Sequence, residues 1–287
     1  MDHFKNNGFS LLEILLVIIL GIILLLGLVQ VYLSMKSSHR QQESMARLQE
    51  NARAASAILA KGIYTAGYFG CASKSVQEGI RGYSSSNLPD FLRDKNIAEN
   101  TDVIVIQKAD SNITYLTRNV LPPTNFIAVK DNPTTINNLW LSISDCVTSN
   151  TFKVENYVGK TIYVNQPINH AYKRLDTEVA AFTEIAYFLS EGSSKYKKSQ
   201  SVYSLYSLVN GSKNPSAHKQ ALVSGIKDMK VSYGLDNDGD GVVDVYYPAD
   251  QVVSWNKVRS VAITLQLEDG KVQKEWQIYV ALRERIS

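Results

Sequence analysis

The sequence predicts an α+β protein: one long N-terminal helix followed by an antiparallel β-sheet domain. Two observations predict it. The apolar residues up to about position 66 are first continuous and then spaced at three and four, as on a helix. Beyond position 68 the chain becomes a series of short runs in which apolar and polar residues alternate, as in half-buried antiparallel strands.

Residues 1–8, MDHFKNNG, form a short polar leader. Residues 9–35 are apolar and carry one charge, Glu13. Ile14 to Val29 is an unbroken run of sixteen apolar or glycine residues, and the apolar character resumes at Val31, Tyr32 and Leu33. That length spans a bilayer as a helix. A carboxylate in such a segment costs roughly 2.5 to 3.5 kcal/mol on insertion scales, so Glu13 reads as functional, with a buried cation as its expected partner. A secretory signal peptide has a basic start, a shorter apolar core and a small-residue cleavage site after it. Here the order is inverted, because the small residue, Gly8, precedes the apolar run.

Residues 36–67 are predicted as the second half of the same helix. Lys36 to Ser44 is polar on all sides, which suits a solvated connection. Met45, Leu48, Ala52, Ala55, Leu59, Ile63 and Ala66 then form an apolar stripe, and Gly67 is the expected terminator. Read continuously, residues 9–66 make one helix of about 87 Å.

Residues 68–287 are long enough for one domain with its own core. The candidate strands are DVIVIQ from Asp102, LWLSIS from Leu139, KTIYVNQ from Lys160, EIAYFLS from Glu184, SVYSLYSLV from Ser201, MKVSYG from Met229, VRSVAITLQL from Val258 and WQIYVALR from Trp276. Gly82–Asn87 and Glu191–Ser201 are expected to be exposed loops. The sixteen tyrosines suit a sheet that is wet on one side.

Composition narrows function. A net charge of +3, dispersed along the chain and without a basic stripe interleaved with aromatics, argues against a nucleic-acid partner. No GxSxG, HExxH or GxxxxGK[ST] pattern occurs, and Ser216 with His218 reads as a solvated loop, so no enzyme is expected.

One metal signal stands out. In DNDGDGVVD, Asp236, Asp238, Asp240, the backbone carbonyl of Val242 and Asp244 occupy alternate positions, with Gly241 at the sharp turn. Hard oxygens at that spacing can curl around calcium, the expected cofactor. The twelfth position is Tyr247 instead of a bidentate Glu, so a closing ligand has to come from elsewhere, Asp250 being one candidate. The alternative is an Asp-Gly hairpin between MKVSYG and VVDVYY with no metal.

GFSLLE, from Gly8 to Glu13, resembles the class III signal of type IV prepilins. The resemblance implies a pilin-like fold, cleavage after Gly8 by a prepilin peptidase and methylation of the new amine on Phe9. It also implies that Glu13 pairs with the N-terminal amine of a neighbouring subunit. A carboxylate and an amine are each costly in a dry bundle and tolerable together. Major pilins usually carry a helix-loosening proline where this chain has Gln30, which leaves any loosening to Gly21 or Gly27. With the leader cytoplasmic, Cys71 and Cys146 both lie beyond the inner membrane. One disulfide is then the simplest reading, worth roughly 4 to 5 kcal/mol in the chain-entropy model, with two unpaired buried thiols as the alternative. The four histidines form no ligand spacing with either cysteine.

Four further segments are similar to the PilW-type minor pilins: ENARAASAILAKGIYTAGYFGC (Glu50–Cys71), which ends the helix in AGYFGC, SDC (Ser144–Cys146), GIKDMKVSYGLDNDGDGVVD (Gly225–Asp244) and VALR (Val280–Arg283). That resemblance implies a low-copy subunit that joins other minor pilins and the major pilin, primes a type IV pilus and stays near its tip, often with a large adhesin. It also implies an inner-membrane protein with a periplasmic domain, extracellular once assembled, serving adhesion and twitching motility. A type II secretion pseudopilin and a tip-located adhesive binding module are the alternatives.

Overall fold

The computed structural model describes residues 11–70, 74–75, 78–131, 140–191, 203–209 and 217–283. Helix α1 is Leu11–Tyr64, without a break. The chain divides at Arg47 and Leu48 into two parts, each described here by itself.

In the first part, the large apolar side chains from Leu11 to Met35 are exposed, and the helix is long and apolar enough to cross a membrane. The polar stretch after it carries an i,i+4 pair, Arg47 to Glu43 at 2.8 Å, the kind of surface contact that adds little stability.

In the second part, α1 buries the predicted stripe from Leu48 on: Leu48, Ala52, Ala55, Leu59, Ile63 and the following Ala66 are all core residues, whereas Met45, the first residue of the predicted stripe, is half-buried and belongs to the first part. Polar contacts fix the helix on the sheet, with Asn51 Nδ2 donating to the Ser224 carbonyl at 3.0 Å and Trp276 Nε1 to Ser56 Oγ at 2.9 Å. Gly67, with φ of 76°, ends the helix as expected and donates its N–H to the Gln107 carbonyl at 2.9 Å.

The strands are β1 (Lys74–Ser75), β2 (Ile80–Ser84), β3 (Asp102–Tyr115), β4 (Thr124–Ala128), β5 (Trp140–Ser144), β6 (Thr148–Val158) and β7 (Thr161–Ile168). They continue with β8 (Glu178–Ser190), β9 (Tyr203–Val209), β10 (Gln220–Leu235), β11 (Val245–Pro248), β12 (Val258–Asp269) and β13 (Val272–Ala281); a short helix α2 (Asp90–Arg93) follows β2. The order is β13-β12-β10-β9-β8-β5-β6-β7-β4, with β3 and then β2 on the other edge of β8, β11 beside β10, and β1 parallel to β6. All pairings but β1–β6 are antiparallel.

Alternation along the strands separates two faces. Ile104 and Ile106 of β3, Tyr187 and Leu189 of β8, and Leu205 of β9 share the core of the helix stripe. Their neighbours Val103, Val105, Ala186, Phe188 and Tyr206 pack on the opposite face around Leu92 of α2. Burial on both faces is why EIAYFLS reads as a nearly continuous apolar run. A second core lies among β4, β5, β6 and β7, around Leu141, Phe152, Ile162 and Tyr172.

The α+β architecture is as predicted, with differences in detail. Gly82–Ser84 belong to β2, so only the end of the predicted Gly82–Asn87 loop is a turn. Glycine serves in that strand because the backbone closely approaches the Tyr233 ring. β1, β2, β4, β6 and β11 lie outside the eight predicted runs. Phe9, Leu139, Ser201 and most of the expected Glu191–Ser201 loop lie outside the described residues.

Candidate functional site

Gly8, Phe9 and Cys71 lie outside the described residues. Glu13 is exposed in the first described turn of α1 and is the only charge between Leu11 and Met35.

The acidic loop is built by the pairing of β10 with β11, which sets Leu235 opposite Val245 and leaves residues 236–244 to make the connection. Gly239 and Gly241, with φ of 86° and 89°, let the backbone curl. Carboxylate oxygens of Asp236, Asp238 and Asp244 come within 4.8 Å of one another. Asp240 does not join them: its Oδ1 accepts the Val242 N–H at 2.7 Å. Asp250 sits in the 3₁₀ turn Ala249–Gln251, and Tyr247 is paired with Tyr233 in the sheet.

Asp236 organises the loop from beneath, with its side chain fully buried. Its Oδ1 accepts the Gly239 N–H at 2.6 Å; its Oδ2 accepts the Gly241 N–H and Arg259 Nε, each at 3.1 Å. Burial alone would raise the Asp236 carboxyl, but these donors outweigh it and hold the pKa below the ordinary 3.8. The folded state thus binds this proton less tightly than the unfolded chain does. The stabilisation is complete above the unfolded value and is lost as pH falls through the folded one. Acid titration of the loop should show this, and Arg259→Ala should move the transition to higher pH.

The donor set is three hard carboxylates, which suits calcium better than a soft metal. The sequence does not reveal Arg259, because β12 brings it to the loop from 23 positions away.

Residues 186–277 match the family model of the type IV pilus-assembly protein W, PilW. Over this stretch, about a third of its length, the chain is similar to PilW-type pilus-assembly proteins. The matched stretch begins within β8 and contains β9, β10, the acidic loop, β11, β12 and most of β13. Of the four segments that resemble PilW-type pilins in sequence, Gly225–Asp244 lies inside it. The comparisons with curated proteins and with solved structures gave no match.

Outside the PilW-like stretch, the turn that carries Cys146 is held by Asp145, the middle residue of the SDC segment, to which the sequence alone assigned no role. Its Oδ1 accepts the N–H groups of Val147 and Thr148 at 2.9 and 2.7 Å, and its Oδ2 lies 3.0 Å from His170 Nε2. Burial opposes ionisation of Asp145, but the bonds from Thr148, His170 and Val147 leave its pKa lowered. Tyr172, stacked edge-on to His170, accepts from Asn150 Nδ2 at 2.7 Å; burial pushes its hydroxyl up to about 12. Cys146 is exposed and is not a free thiol.

Proposed function

We propose that this chain is a minor pilin subunit that primes assembly of a type IV pilus and stays near its tip. The observation that carries the reading is α1: one helix whose residues 11–35 expose a largely apolar surface with Glu13 as its only charge, and whose residues from Leu48 onward bury their stripe on a sheet that is PilW-like over residues 186–277. Exposed apolar surface on that scale needs lipid or other helices to cover it. The inner membrane supplies lipid before assembly, and neighbouring pilins supply helices afterwards. Glu13 then pairs with the methylated amine of a neighbouring Phe9, which a prepilin peptidase exposes by cutting after Gly8. The sheet domain is periplasmic first and extracellular later, beside other minor pilins, the major pilin and a tip adhesin.

Deletion of the gene tests this reading directly. The expected result is loss of surface pili with secretion of folded exoproteins intact; the reverse outcome would make the chain a secretion pseudopilin. Mass spectrometry of the purified protein should find a methylated Phe9 at the N-terminus, and an intact Met1 would contradict the processing.

We propose a disulfide between Cys71 and Cys146. Non-reducing peptide mapping should recover the pair, and Cys146→Ser should destabilise the domain by about 2 to 4 kcal/mol. Two free thiols after export would contradict it.

Calcium is proposed for the acidic loop, held by Asp236, Asp238 and Asp244. Binding to the folded loop alone stabilises by mass action, about 2.7 kcal/mol when free calcium is about a hundredfold above Kd. The rise in melting temperature should vanish in Asp238→Ala with Asp244→Ala, which spares buried Asp236 and its bond to Arg259. No rise in the wild type at millimolar calcium would leave the plain hairpin.

A further inference from the structure

Just past the end of α1, Tyr68, Phe69 and Gly70 lie against β3, β5 and β8 around a cavity of about 10 Å³. Direct contacts already hold this segment: Ala109 N–H of β3 donates to the Tyr68 carbonyl at 2.7 Å, and the Phe69 ring stacks on Phe182 of β8 at 6.2 Å. Alternation along β5 supplies the polar wall. Leu141 and Ile143 enter the second core, which leaves Ser142 and Ser144, each 2% exposed, on the face toward Phe69, Ala109 and Ala180. Glu178 of β8 pairs with Ser144 in register and shares that face. Gly70 shows how closely these groups converge: its φ is 88°, and a Cβ there would lie 2.7 Å from Glu178 Oε2 and closer still to Ser144 Oγ. Two of the lining oxygens, Ser142 Oγ and Glu178 Oε2, are buried and have no hydrogen-bond partner in the protein. Native structures pair such atoms in the great majority of cases, so a guest that meets both is called for.

Size and chemistry choose the guest. The volume matches about one water-sized sphere, which excludes an organic ligand. An apolar guest would leave both oxygens unpaired. A bare metal cation wants a fuller shell, about six to eight oxygens for calcium, than Glu178, Ser142 and Ser144 offer. Glu178 is itself only half-buried, so its charge reaches solvent and needs no buried counter-ion. A water molecule fits both partners: it donates to the carboxylate oxygen, which only accepts, and exchanges a hydrogen bond of either sense with the serine hydroxyl. We propose that this cavity binds one water molecule, which bridges Ser142 Oγ and Glu178 Oε2 beneath Gly70. Such a bridge is nearly as favourable in enthalpy as a direct bond. It ties β5 to β8 under the segment that leads from the helix to Cys71, a second fastening beside the direct bond to β3.

The test is a crystal structure of the full-length protein, grown from detergent in sodium salts without ammonium, at a resolution that shows ordered water. The map should hold one peak within hydrogen-bond distance of both Ser142 Oγ and Glu178 Oε2, about 2.5 to 3.0 Å from each. The peak should persist in Glu178→Gln, because a neutral amide still offers a water one hydrogen bond. It should vanish in Ser142→Val, whose methyl groups take the hydroxyl's place and offer no partner. Loss of the peak in Glu178→Gln would identify a cation held by charge and overturn the proposal. An empty site in the wild-type map, a direct bond between Ser142 Oγ and Glu178 Oε2, or a peak unchanged in a folded Ser142→Val would also overturn it. If Ser142→Val does not fold, the wild-type map and Glu178→Gln decide between water, cation and no guest.

Discussion

Glu13→Ala is expected to abolish most surface pili while leaving the sheet domain as stable as before. The carboxylate sits in a helical stretch, Leu11–Met35, with no other charge, and in the proposed assembly a neighbour's amine would be its partner in the dry bundle. Removing one member of a buried ion pair costs about 3 to 5 kcal/mol because the other charge stays behind unpaired. That corresponds to more than about a hundredfold in association. Co-purification with the other minor pilins should fall accordingly, and pilus counts by electron microscopy should fall with it. The melting temperature should not move, since Glu13 is exposed and lies far in sequence from every residue of the helix–sheet core. Unchanged co-purification would contradict the pairing.

Gly82→Ala should act in the opposite manner, destabilising the sheet domain without touching the assembly helix. A Cβ at Gly82 would sit 2.2 Å from Tyr233 Oη and 2.5 Å from Cζ. Tyr233 cannot give way easily: it is wholly buried, and Trp255 packs edge-on against its ring at 4.8 Å. Overpacking of this kind costs about 1 to 3 kcal/mol or more. For a domain of this size the melting temperature falls by about 2 to 4 °C per kcal/mol. The same geometry predicts a stabilising change. The Tyr233 hydroxyl is buried without a hydrogen-bond partner, so Tyr233→Phe removes a desolvation penalty of about 1 to 3 kcal/mol. The double variant should recover part of the Gly82→Ala loss, because the closest clashing atom is gone. A clearly destabilising Tyr233→Phe would show that the hydroxyl has a partner in solution.

These two positions also show what could be read from sequence. Glu13 was legible because a lone charge in a membrane-length run is conspicuous in any context. The stripe from Leu48 to Ile63 was legible because helical period depends on local spacing alone, and the eight predicted strands because their apolar runs are long. β6, TSNTFKVENYV, is polar enough that its pairing with β5 and β7 decides it, and β4 and β11 are too short for alternation to register. Gly82 looked like a loop residue because nothing local reveals that Tyr233, far away in sequence, needs its space. In the acidic loop, spacing identified the carboxylates but could not show that Asp240 turns away or that Arg259 comes in beneath. Glu184 was read as an ordinary strand residue, since its bond to Gln107 depends on the pairing of β3 with β8.

Quantitative proteomics of sheared, purified pili tests the minor-pilin reading most directly. A subunit that primes the filament and stays near one end should be recovered with the pili at a small fraction of the major subunit, in a ratio that falls as filaments lengthen. Recovery at a stoichiometry comparable to the major subunit, independent of filament length, would contradict it.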